Sequence, residues 1–142
     1  MRLKILLDEK VVLDKDIGDI DHDHMREPLF TLGELGELIV AEKLKSLGID
    51  TIRLFTNSAS DFLLTKSRKL LEVKTARKGY NTTTECFAFQ VHRNISQYII
   101  IWAVDIDKFF VLDKKQVKLG VNRIYPNAKK WLNAEGNWCI LT

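Results

Sequence analysis

Glu72-Val73-Lys74 is an acid–x–lysine tripeptide, and the same spacing recurs at Asp8-Glu9-Lys10 and Asp113-Lys114-Lys115. The setting of Glu72-Val73-Lys74 distinguishes it. Leu70 and Leu71 lead into it, so the two charged groups fall on a strand that should otherwise be buried. Alternation along a strand puts Glu72 and Lys74 on one face and Leu71, Val73 and Thr75 on the other. A carboxylate and an ammonium on an inner strand are costly to desolvate and therefore need a reason. A solvated cross-strand ion pair is the ordinary one. The other is catalysis.

Two further acids fit the second reading. Asp61 opens the apolar run Phe62-Leu63-Leu64, just after a turn at Ser58 to Ser60. If 61–64 and 70–75 pair as a hairpin, Asp61 and Glu72 come from adjacent strands. Such acids repel unless a cation sits between them. Magnesium suits the pair: it takes hard oxygen ligands and few protein carboxylates, leaving positions for water and substrate phosphate. Taken alone, an aspartate in the position of Asp61 is more often a turn residue than a ligand. Glu37 lies on a helix with Ala41 and Leu44 at i+4 and i+7, hence on an apolar stripe. Leu35, Leu38, Ile39, Val40 and Leu47 cover most other directions, which predicts a heavily buried helix. An acid there reaches a metal ion, or its bound water, from above the sheet. Glu34 competes for that role but has a capping position to fill.

The elements that must hold these residues are legible in outline. Leu3 to Leu7 and Val11 to Leu13 read as a β-hairpin, and 14–28 as an acidic loop or partner-contacting arm ending at Pro28. Thr31 can cap the next helix, with Glu34 completing a capping box and Gly48 placed to end it. Thr51 to Phe55 reads as a strand, then the hairpin of 61–64 and 70–75. Phe87 to Val91, Tyr98 to Val104 and Phe109 to Leu112 read as further strands, the second almost wholly apolar and so central. A helix is expected around Ala128 to Leu132. The predicted fold class is α/β, a mixed sheet flanked by helices. One domain is expected: 1–30 a hairpin plus acidic arm, 31–112 the core carrying the site, and 113–142 a C-terminal extension.

Composition sets the bounds. With 142 residues, 46% apolar and 29% charged, the chain is long enough for one core of its own. Cys86 and Cys139 with three histidines supply no four-ligand zinc pattern, and both cysteines are expected to be buried thiols in a reducing compartment. No run approaches the roughly 18 apolar residues of a membrane span, and the opening apolar stretch is too short for a signal peptide, so the cytoplasm is expected. Residues 1–30 carry 5 Lys/Arg against 8 Asp/Glu, and 31–142 carry 17 against 11. A basic body suits a polyanionic partner.

Taken together, these residues resemble the PD-(D/E)XK nuclease superfamily, with its restriction-endonuclease-like core. The match runs through Gly36-Glu37 with Ala41, Leu44 and Gly48, then Ser60-Asp61-Phe62, then Leu71-Glu72-Val73-Lys74-Thr75. It covers roughly 33–76, extending loosely to Phe87–Gln90 and Tyr98–Leu112. Small members such as archaeal Holliday-junction resolvases and homing or restriction endonucleases are most similar. Ser60 stands where the family name has proline, at a position without chemistry. The resemblance implies that Asp61 and Glu72, with the backbone carbonyl of Val73, hold Mg²⁺, for which Mn²⁺ substitutes. Glu37 would act on the metal through water or hold a second ion. Lys74 would position the attacking water and help deprotonate it. The implied reaction is phosphodiester hydrolysis in duplex or branched DNA by a homodimer, leaving a 5′-phosphate. The open alternatives are an RNA-directed nuclease and a non-catalytic nucleic-acid-binding module on the same fold.

Other residues are weaker candidates. Arg77, Lys78 and Tyr80, read as lying just past the catalytic strand, are placed to meet a phosphate backbone. Gln90, His92 and Arg93 end the next strand and could line the cleft. Asp19, Asp21, His22, Asp23 and His24 have metal-ligand types, but a polar loop explains them. Trp102 is expected in the core, and Trp131 and Trp138 in the core or at an interface.

Overall fold

The computed structural model of the protein describes residues 2–7, 10–16, 31–54, 60–93 and 95–142. At the N-terminus β1 (Arg2–Leu7) and β2 (Lys10–Asp16) pair antiparallel as the expected hairpin. Strand β2 runs into the first residues of the segment read as an arm; the rest of that arm, with the Asp19 to His24 cluster, lies outside the described residues.

Helix α1 (Leu32–Ser46) is bounded by the predicted signals. The Thr31 hydroxyl accepts from the Glu34 backbone N–H at 3.2 Å. At the other end Gly48 takes φ +71°, a left-handed conformation that glycine adopts without a Cβ clash. The Ile49 N–H then donates to the Leu44 carbonyl at 2.9 Å and the Gly48 N–H to Lys45 at 3.0 Å, the Schellman closure. The helix is less enveloped than its composition predicts. Leu35, Gly36, Val40 and Leu44 are buried, whereas Leu47 is exposed. The buried residues keep an i, i+4 spacing, so one stripe meets the sheet and Glu37 flanks it.

Seven strands form the main sheet: β3 (Thr51–Arg53), β4 (Phe62–Leu64), β5 (Leu70–Asn81), β6 (Thr84–Val91), β7 (Tyr98–Ala103), β8 (Lys108–Asp113) and β9 (Gly120–Ile124). It is mixed, because β5 and β7 run parallel while the other neighbours are antiparallel. Helix α2 (Lys129–Ala134) follows. Strand β7 is buried along its whole length. Its side chains alternate between two cores, Ile99, Ile101 and Ala103 in one, Tyr98 and Ile100 in the other. Trp131 and Ala134 of α2 belong to the first, Val40 and Leu44 of α1 to the second. The α/β class and the mixed, helix-flanked sheet agree with the sequence reading. The segment read as a C-terminal extension contributes Val117, Ile124, Trp131 and Ala134 to one core and Leu141 to the other.

Strand β5 organises the site. It pairs with β4 at Leu70 and Leu71, with β7 over Leu71–Ala76, and with β6 over Arg77–Asn81. Between Glu72 and Ala76 the only strand partner among the described residues is therefore β7. The strand also corrects one reading. Arg77, Lys78 and Tyr80 lie on β5 itself, not beyond it, because pairing with β6 carries the strand on to Asn81.

Candidate active site

The gap in pairing along β5 is where the four singled-out residues meet. Asp61 is fixed by its backbone: its N–H donates to Leu71 at 3.0 Å, and its carbonyl accepts from Leu54 at 2.9 Å. Its carboxylate then turns to the uncovered stretch of β5 and takes the Val73 N–H at 2.7 Å. That bond satisfies a backbone donor that would otherwise lack a strand partner. Leu71 and Val73 are buried, as alternation predicts. Glu72 and Lys74 point the other way, with Nζ 3.1 Å from Oε1 and side chains 23% and 14% exposed for Lys74 and Glu72.

Glu37 arrives from above on α1, and the approach depends on its neighbour. Gly36 faces Thr75 and Trp102, and a Cβ there would run into the Thr75 hydroxyl. The missing side chain thus lets the helix close on the strand. Glu37 meets Arg53 of β3 at 3.0 Å and lies within hydrogen-bonding reach of Asp61. Ser60, ahead of Asp61, is buried and shares a 2.6 Å hydrogen bond with the hydroxyl of Ser96, tying this turn to the entry of β7.

The electrostatics record the crowding. Burial, and after it the Asp61 carboxylate, push Glu37 up from the ordinary 4.5 to about 7, with Arg53 opposing. A protonated Glu37 can donate to Asp61, which is how two adjacent acids coexist. Glu72 is also raised, mainly by burial; Lys74 works against this, Asp61 adds to it, and His92 counteracts. Sequence reasoning placed His92 near the cleft and missed Arg53, whose partner is sixteen residues away and on another element. Beyond Ala88 strand β6 leaves β5. His92, just past the end of β6, still acts on the Glu72 carboxylate.

The remaining candidates divide. Arg77 pairs with Asp105 at 3.4 Å, and the Lys78 N–H donates to the same carboxylate at 2.6 Å. Lys78 Nζ also lies 3.4 Å from Glu85. Tyr80, Gln90 and Arg93 are exposed. Trp102 and Trp131 are core, whereas Trp138 is half-buried against Phe109. Cys86 is a buried thiol as expected, but Cys139 is exposed, because its 3₁₀ turn buries Leu141 instead.

Glu37, Asp61 and Glu72 offer carboxylate oxygens, the donor type a hard cation takes. In this structure each is turned to a protein partner: Glu37 to Arg53, Glu72 to Lys74, Asp61 to the Val73 N–H. Among the described residues no three His, Cys, Asp or Glu side chains stand close enough to hold a metal ion between them.

The fold has a counterpart among solved structures. A bacterial homing endonuclease, I-Ssp6803I, superposes with a TM-score of 0.61 over 77% of this chain and 89% of its own, at 10% identity. At that identity the likeness is one of fold. No family model matches the sequence, and no curated protein does. No helix among the described residues is long and apolar enough to cross a membrane.

Proposed function

We propose that the protein is a metal-dependent endonuclease of the PD-(D/E)XK type that hydrolyses phosphodiester bonds in DNA. The observation that carries this reading is the convergence of Glu37, Asp61, Glu72 and Lys74, from three elements, on the unpaired stretch of β5. A fold shared with a homing endonuclease supports it. Structural ion pairs alone do not call for Glu37 against Asp61, since packing two acids together is unfavourable without a cation or a proton.

Asp61 and Glu72, with the carbonyl of Val73, would hold Mg²⁺, and Glu37 would act through water or toward a second ion. The metal would supply Lewis-acid activation of the phosphate and of a bound water. Lys74 would orient the water and offset negative charge growing on the phosphate. Water adds to phosphorus, the bond to the 3′ oxygen breaks, and the products carry a 5′-phosphate and a 3′-hydroxyl. Glu72 holds Lys74 in place, so the pair works as a unit.

The test is a labelled panel of linear duplex, single strand, flap, four-way junction and RNA, with wild type and Glu72→Ala in Mg²⁺ or EDTA. Cleavage of DNA that requires the metal and disappears in the variant is the expected result. Cleavage surviving in EDTA or in Glu72→Ala, or silence across the panel, overturns the reading.

A further inference from the structure

A second surface, away from the catalytic gap, carries unneutralised positive charge. A concave groove of about 560 Å³ opens between the turn after β8, strand β9 and helix α2. Lys115, Lys118, Arg123 and Lys130 line it, with Tyr125 and Trp131, and no acid is among its lining residues. Most other cations near functional residues are matched: Arg53 with Glu37, Lys74 with Glu72, Arg77 with Asp105, Lys78 with Glu85. Lys115, Lys118 and Arg123 form no salt bridge among the described residues. The local charge agrees, since residues 113–142 hold six Lys/Arg against two Asp/Glu.

The groove is built, not incidental. Asn122 is buried and spends its amide on one wall: Oδ1 accepts from the Lys118 N–H at 3.1 Å, while Nδ2 donates to Lys118 and Gly120 carbonyls at 2.8 and 3.3 Å. Lys118 is thus displayed from a fixed loop. Across the sheet, Arg77 and Arg123 both pair with Ala88, so the three share one face. Two strand spacings put the arginine backbones about 10 Å apart. Ala88 between them is small and exposed, which leaves the row flat. In the next row Gln90 pairs with Val121, both exposed. Val121 and Arg123 also line the groove. One exposed face therefore runs from Arg77 across β6 to the basic groove, and by alternation it is the face of Thr75, not that of Glu72 and Lys74.

We infer that this groove, with Lys115, Lys118 and Arg123, is a phosphate-backbone track that holds duplex DNA, an inference that rests on the nuclease reading above. Phosphates lie along this track, while Gln90, exposed on the adjoining face of β6, has an amide that can pair with a base edge.

The experiment measures binding of a fluorescent duplex by anisotropy in EDTA at rising KCl, for wild type, Lys115→Gln/Lys118→Gln/Arg123→Gln, and a control, Lys43→Gln/Lys45→Gln/Lys66→Gln. All six positions are exposed or line the groove, and circular dichroism checks that each variant folds. Each lost phosphate contact makes the slope of log affinity against log salt shallower by about 0.9, so the groove variant should lose about 2–3 in slope and at least tenfold in affinity. The control should keep the wild-type slope. Equal slopes in both variants overturn the track, even if wild type cuts DNA in Mg²⁺. The expected slope change without metal-dependent cutting upholds the track and removes the nuclease. A change seen with duplex RNA but not duplex DNA overturns the choice of ligand.

Discussion

Glu37 and Glu72 are both acids displaced upward by burial, yet the causes ranked behind burial assign them different work. Glu72 leans on Lys74 at 3.1 Å, which favours its charged form against the effect of burial. Glu37 faces Asp61, so its charge is suppressed. From the first contrast, Lys74→Ala should lower cleavage by about 10² to 10³ while duplex affinity stays within about threefold, measured by single-turnover kinetics and anisotropy. Loss of both together would argue against a role for Lys74 in the chemical step. From the second, folding stability in EDTA should fall as pH rises. The folded protein holds the Glu37 proton up to about 7, whereas the unfolded chain releases it near 4.5. The contribution is therefore complete below pH 4.5 and lost through pH 7, about 1 kcal/mol after solvent screening. Thermal melts between pH 5 and 8 should show it, and Glu37→Gln should flatten the trend relative to wild type. The types and order of the four residues were readable in the sequence. Arg53 and the Ser60–Ser96 pair were not, because their partners lie on other elements and no local pattern links them.

Elements with both a start and a stop written locally were legible; those defined by their neighbours were not. Helix α1 has Thr31, Gly48 and an apolar stripe, and it was read to within a residue or two. Strand β5 was cut short at Thr75 because Ala76-Arg77-Lys78-Gly79 has the composition of a loop. Pairing with β6 overrides that composition, and the turn falls at Thr82, a β-branched residue at φ +57° with no glycine to announce it. Strand β9 was missed for a related reason. Its inward residues are Asn122 and Ile124, and its outward ones Val121 and Arg123, so polarity does not track burial. The contact between α1 and β5 carries a sharper prediction. Gly36→Ala should push the helix away from Thr75 and Trp102, costing about 1–3 kcal/mol and displacing Glu37. Gly33→Ala, in the same helix, where a Cβ would meet only the Thr31 hydroxyl at 4.0 Å, should be neutral or mildly stabilising. Denaturant midpoints decide it: equal effects at both positions would mean that Gly36 has no packing role.

At the scale of the whole molecule, the two cores share β5, β7 and β8, and the gap in pairing opens where β5 changes partners from β4 to β6. Mixed sheet and flanking helices were legible because β7 is apolar on both faces, which only a central strand tolerates. The place of the last thirty residues in the cores was not, since their apolar residues are scattered through turns and a short helix. The chain gathers one set of Glu37, Asp61, Glu72 and Lys74, and a duplex offers two backbones of opposite direction. One protomer in one binding event therefore meets one scissile bond; cutting both strands at once takes two protomers related by a two-fold axis. If the homodimer implied by the family resemblance forms, supercoiled plasmid should give linear product without a lag, at concentrations where light scattering finds twice the 16.4 kDa chain mass. Below that range nicked circles should accumulate first. Linear product forming without a nicked intermediate from a protein that stays at the single-chain mass would overturn the dimer. Nicked circles persisting with the doubled mass present would mean that the two gaps do not face one duplex.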